Sequence, residues 1–168
     1  MQGVDVKLCT LFVAGAFAFA APAAAQQIND AQIAAIVVAA NQVDIDAGQL
    51  AAKNASNAEV RKFGQQMVTD HTGVNKSAVA LVTKLKVTPQ ENDTSKALKA
   101  GGDKNIAKLK SLQGAAFEKA YVDQEVAYHT QVLEAIDKTL IPNASNAELK
   151  ALLVKVRPAF VAHLEHAK

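Results

Sequence analysis

Tryptophan is absent from this 168-residue chain, tyrosine occurs only twice, and there is a single cysteine, Cys9. One thiol excludes an internal disulfide framework, a cysteine-rich metal site and attachment of c-type haem. Neither sign of charge dominates: 18 lysines and arginines stand against 16 acids, a formal net charge of +2. The two signs interleave, which leaves no basic stripe for nucleic acid and no acidic tail. Strand-like alternation, a glycine-rich phosphate loop and a nucleophile with base and orienter are all missing, so hydrolase, kinase and dinucleotide chemistries fall away.

The long apolar run is confined to the beginning. MQGVDVKLCTLFVAGAFAFAAPAAAQQ has Lys7, an apolar stretch from Leu8 to Ala20, then Pro22 and three alanines. That order reads as a secretory signal peptide over 1–25, cleaved before Gln26, and it predicts an exported protein, periplasmic or associated with the outer membrane. An uncleaved anchor is the alternative, because the run is just long enough to span a membrane. Cleavage removes Cys9, and function then rests on carboxylates, imidazoles and surfaces. After Gln26 no apolar run nears the roughly 20 residues of a membrane helix, so no transmembrane span is expected in the mature chain. Residues 26–168 are long enough for one domain with a substantial core.

Within 26–168 the apolar residues recur at helical spacing. The first helix is expected from Asn29 or Asp30 to Lys53, with Ile33, Val37, Ala40, Asp44 and Ala47 on one stripe. A turn at NASNAE (54–59) follows, where Ser56 and Glu59 resemble a capping box. The second helix is expected over 57–86, with Phe63, Met67, His71, Val74, Ala78 and Leu81 on one face. Between 87 and 114 the pattern breaks at Thr88-Pro89, Asn92-Asp93 and Gly101-Gly102, which reads as a long crossover with short helical turns near 95–100 and 103–112. The third helix, over 115–140, carries Val122, Val126, His129, Leu133 and Ile136 and ends at Pro142. NASNAE then returns at 143–148 and opens a fourth helix with Leu149, Val156, Phe160 and His163 in register, and Pro158 inside it is expected to kink or break it. Two helical hairpins joined by a long crossover predict an all-α, ferritin-like four-helix bundle.

Four stripes each carry one polar residue where core residues belong: Asp44, His71, His129 and His163. At a rise of about 1.5 Å per residue, all four fall within about 8 Å of one level in the bundle. Three imidazoles with a carboxylate suit one divalent transition metal such as Zn, Cu, Ni or non-haem Fe. A hydrogen-bonded core network is the other reading of the same residues. Glu125, one turn before His129, either orients its ring or forms an exposed i,i+4 pair. His166 reads as surface, Asp70 as facing solvent or capping a neighbour, and Met67 as core, although a thioether one turn from a histidine also suits copper. Glu-x-x-His pairs, as used by di-iron bundles, are absent: Val68, Val126 and Phe160 stand three residues before the histidines.

The segments Asp44-Ile45-Asp46-Ala47-Gly48-Gln49-Leu50-Ala51, Met67-Val68-Thr69-Asp70-His71, Phe117 and Tyr121 leading to His129, and Arg157-Pro158 with His163-Leu164 resemble an uncharacterised family of exported bacterial proteins. That family has a ferritin-like domain of unknown function, and its members are often labelled outer-membrane proteins. The resemblance implies a four-helix bundle over nearly all of the mature chain and assigns no catalytic residues. The chain departs from the family pattern with Asp44 in place of a common glutamate and with Tyr128 before His129 in place of an aspartate.

Two functions from different classes follow. As a broad description, the protein is a non-catalytic envelope-stress or interaction module whose amphipathic helices and 87–114 segment contact an envelope protein or a membrane surface. Alternatively it is a periplasmic metal-binding bundle with Asp44, His71, His129 and His163 as ligands, and only this reading names residues.

Overall fold

The computed structural model describes residues 27–168, so the expected leader at 1–25 lies outside the described residues. Five helices, and no strand among the described residues, make up the fold. They are α1 (Asp30–Asn54), α2 (Ala58–Lys84), α3 (Asp93–Lys110), α4 (Gly114–Ala135) and α5 (Ala147–Ala167). Past Ala135, α4 continues through a π-helical segment at Ile136–Leu140 and a last turn at Ile141–Asn143.

Asparagines start most of these helices. Asn29 closes a reciprocal capping box with Gln32 on α1, and Asn57 and Asn146 accept backbone N–H groups at the first turns of α2 and α5. The Ser56–Glu59 box is therefore corrected by one residue, in favour of a side chain that ranks among the best N-caps. The backbone N–H groups of Ser56 and Asn57 instead donate to Glu118 on α4. The second NASNAE turn is tied in the same way, with Ser145 and Asn146 donating to Asp30 on α1. Each hairpin turn is thus held by a carboxylate from the leading helix of the other hairpin, which sets the α1–α2 and α4–α5 pairs antiparallel and end to end in register.

Pro142 does not end α4 outright. Proline has no N–H to donate back along the helix and crowds the preceding turn, and the ladder widens to a five-residue step just before it, where Ile141 N–H donates to Ile136 O. Pro158 is likewise accommodated, since α5 runs unbroken from Ala147 to Ala167.

The largest departure from expectation is the 87–114 segment, which contains an 18-residue helix rather than a loop with short turns. Gln90 N–H donates to Ala31 O and Asn92 Nδ2 to Gln32 O, which pins the start of α3 beside the start of α1. From there α3 runs along α1 and delivers Leu109 to the group formed by Ala47, Phe63 and Phe117 at the other end. Gly102 lets the two helices meet, because a Cβ on it would lie 2.7 Å from Val43 Cγ2. Covered by α2 on one side and α3 on the other, α1 is buried around most of its circumference, including Ala34, Ala35, Ile36 and Ala39.

Where α1 crosses α2, glycine again sets the distance: a Cβ on Gly64 would lie 2.8 Å from Gly48 O, Ala52 N and Ala51 Cβ. Backbone cannot yield as a side-chain tip can. Gly64→Ala is therefore expected to destabilise the protein by about 1–3 kcal/mol, the usual range for overpacking, despite alanine's higher helix propensity. Gly73 is on the same helix, and a Cβ there would meet nothing within 4 Å. Gly73→Ala should show the opposite effect and add up to about 1 kcal/mol. Urea denaturation of both variants checks the pair, and equal responses would contradict the close crossing.

Candidate metal centre

All four residues placed inside by periodicity are inside: Asp44, His71, His129 and His163 are each no more than 2 % exposed. They come from α1, α2, α4 and α5, one per helix. The ring centroids of His71, His129 and His163 lie 5.2 to 5.6 Å apart, and their ligand atoms all fall within 4.8 Å of one another. Asp44 reaches the same group despite its short side chain, with Oδ2 3.4 Å from His71 Nε2.

Glu125 is at the centre, not on the surface. It is 1 % exposed, its Oε2 lies 3.4 Å from His129 Nδ1, and its ligand atom groups with those of Asp44 and His129 within 4.8 Å. The exposed i,i+4 reading is corrected, because the α4 stripe that carries His129 turns Glu125 toward the same interior. Two overlapping ligand sets, one of three imidazoles and one of two carboxylates with His129, thus adjoin. Met67 packs as core at 0 % exposure, and His166 is exposed with its ring edge-on to Phe63 at 5.0 Å.

Each ring is held by one nitrogen. His71 Nδ1 donates to Asn41 Oδ1 at 2.7 Å, and Asn41 Nδ2 in turn donates to Val37 O, which fixes the amide. His129 Nδ1 donates to Glu125 backbone O at 3.1 Å. His163 Nε2 donates to Asp70 Oδ2 at 2.9 Å. With those protons assigned by the partners, the lone pairs of His71 Nε2, His129 Nε2 and His163 Nδ1 remain, and these three atoms have no hydrogen-bond partner among the described residues. Asp44 Oδ2, Glu125 Oε2 and the Tyr121 hydroxyl, all buried beside them, share that condition. Nearly all buried polar side chains are paired in folded proteins, with protein or ordered water, so six such atoms in one place mark a candidate site for a bound group.

A cation would fit there. Bonds of about 2.1 Å at tetrahedral angles put ligand atoms about 3.4 Å apart, the separation already present between Asp44 and His71. Fixing the far nitrogen of each ring by a carbonyl, an amide or a carboxylate is also how metal-binding histidines are oriented. Asn41 and Asp70 supply two of these anchors, and the sequence pattern assigns neither. Asn41 is legible only as a polar residue one turn after Val37 on the buried stripe of α1; Asp70, half-exposed beside His71, reaches His163 only because α2 and α5 are neighbours.

Burial sets the protonation of the group. It holds Asp44 well above the usual carboxyl value, with the adjacent Glu125 charge adding to the effect. Burial likewise raises Glu125 to about 8, against a partial offset from Asp44 and Tyr121. The histidines move the other way: burial, then His129 and His163, push His71 down to about 2, and burial pushes His129 down to about 4. At neutral pH the interior therefore holds His71 and His129 as neutral imidazoles, the form that can bind a metal.

The described fold and its interior define a class: an all-helical protein with a buried histidine and carboxylate cluster shared among four helices, and with no helix among the described residues long and apolar enough to cross a membrane. Residues 14–168 match the family described as a domain of unknown function, DUF4142, and the chain belongs to that family. None of the curated proteins and none of the solved structures matches it.

The pKa shifts fix how stability of the metal-free protein depends on pH. The fold keeps a proton on Glu125 from its ordinary 4.5 up to about 8, so stability falls as pH rises through that interval. The unfolded chain takes up protons on His71 and His129 below their ordinary 6.5 while the fold refuses them down to about 2 and about 4, so stability also falls as pH drops below 6.5. Asp44, also held protonated well above its ordinary 3.8, acts in the same direction as Glu125, so between 4.5 and 6.5 the two protons the fold keeps on the carboxyls offset the two it refuses on His71 and His129. Denaturation midpoints after chelation should form a plateau there and decline on both sides, and a profile still rising from pH 6.5 to 8 would contradict the buried carboxyls.

Proposed function

We propose that the protein is an exported, non-catalytic metal-binding bundle that holds one divalent transition metal (Zn, Cu, Ni or Fe) through His71, His129 and His163, with Asp44 completing the set. The observation that carries this reading is the three buried ring nitrogens without partners among the described residues, each on a histidine whose other nitrogen is already engaged. Neutral imidazole is a favoured ligand for these metals, and the absence of thiols beyond Cys9 leaves nitrogen and oxygen as the donors. Glu125 stands behind Asp44 and His129 as a carboxylate that orients them or neutralises charge. The antiparallel α1–α2 and α4–α5 hairpins, with α3 carrying the chain back along α1, support a ferritin-like four-helix core. The apolar run and small-residue triplet before Gln26 support export to the periplasm.

The interaction-module reading depends on a polar, mobile 87–114 segment. That segment includes a helix that buries one side of α1, so it does not favour partner capture over metal binding.

The test is elemental analysis of the protein purified without a histidine tag, beside thermal unfolding with Zn, Cu, Ni, Fe and Mn. About one equivalent of metal and a rise in Tm that grows as the logarithm of free metal are expected, with both lost in His71→Ala. Asn41→Ala, which frees the His71 ring to turn, should weaken affinity about 10–100-fold without abolishing binding. If wild type and His71→Ala respond alike, the ligand set is wrong.

A further inference from the structure

Beside the histidine cluster, the bundle contains a partly open cavity of about 190 Å³. Buried apolar side chains from several helices form its walls, among them Ile36, Val132, Leu140 and Leu153. Phe160 closes it on the cluster side, with its ring 5.0 Å from that of His71 and 5.9 Å from that of His129. Its mouth lies between the first turn of α3 and α4, at the exposed residues Thr94 and Gln131.

Protein interiors are close-packed, with few spaces larger than a water molecule. An apolar space of this size is therefore a feature with a ligand chemistry, and the walls define it. The buried polar groups facing it are already used: Asn41 bonds to His71 and Val37, and the Tyr128 hydroxyl donates to Ala40 O. None of the buried polar atoms without partners among the described residues belongs to this wall. Water needs two to four polar partners to settle in a cavity, and a charged ligand needs a counter-charge, so neither is matched here. Apolar cavities of about 150 Å³ in other proteins do take up benzene.

We infer that this cavity is a binding site for a small neutral apolar molecule about the size of one aromatic ring, with Phe160 and Asn41 of its wall also in contact with His71 of the cluster. The site is independent of whether the cluster holds a metal, but its occupant shares two walls with His71. Binding of one ligand then influences the other reciprocally wherever the occupant shifts Phe160 or Asn41.

The experiment titrates toluene into the purified, chelator-treated protein and follows thermal unfolding and side-chain methyl NMR signals, with benzoate as the charged molecule of the same ring. Toluene should raise Tm in proportion to the logarithm of its concentration and shift the methyl signals of Leu140 and Leu153, while benzoate should do neither. Ala40→Leu and Ala135→Leu each grow a side chain into the space, and whichever of them folds should lose the toluene response. No response in the wild type, an equal response to benzoate, or an undiminished response in the filled variants would each overturn the assignment. Because chelation removes any metal before the titration, failure here is distinct from failure of the metal reading.

Discussion

Burying five ionisable side chains at one level of a helical bundle is the constraint on which the rest of the structure depends. Asp44, His71, Glu125, His129 and His163 are stripped of water by four helices at once, and an isolated charge there is far too costly to keep. The protein meets the cost in two ways. Desolvation shifts Asp44 and Glu125 toward their protonated forms and His71 and His129 toward their neutral forms. Asn41, the Glu125 carbonyl and Asp70 then each accept a hydrogen bond from one imidazole. What is left is a set of inward lone pairs with no hydrogen-bond partner among the described residues.

The frame that aligns those lone pairs is the reciprocal tie between hairpins. Glu118 receives the turn that ends α1, and Asp30 receives the turn that ends α4. Since the turns share the sequence NASNAE, the two hairpins are locally alike, and locking each turn to the opposite helix fixes their relative height. Sliding one hairpin past the other by a helical turn would move its cluster residues by about 5.4 Å, enough to take His163 out of reach of Asp70 and of His71. Small residues serve the same end, with Gly48 and Gly64 bringing α1 and α2 to backbone contact.

Legibility follows the type of signal. Asp44, His71, His129 and His163 interrupt strong apolar stripes, and a 3.6-residue period places them inside whatever the neighbours are. The 87–114 segment misleads because Gly101-Gly102 is ordinary turn chemistry when seen locally. In the fold, Gly102 is a contact point on Val43, and Leu98, Ile106 and Leu109 pack into the cores that enclose α1. The broad apolar character of α1, with Ala34, Ala35, Ile36 and Ala39 off the main stripe, is the available sign that a second layer covers it. Glu125 is ambiguous for a different reason: an acid four residues before a histidine looks the same on a wet face and in a core.

By itself the sequence determined the four long helices of the two antiparallel hairpins and the polar residue that each inner stripe carries, because these depend on spacing along one chain. Only the tertiary structure decided that Asn41 holds His71, that Asp70 holds His163, and that Glu125 joins Asp44. It alone also turned the crossover into a fifth helix and left an apolar cavity against Phe160. Those outcomes depend on which helices are neighbours and at what height, a relation between distant segments that no local period encodes.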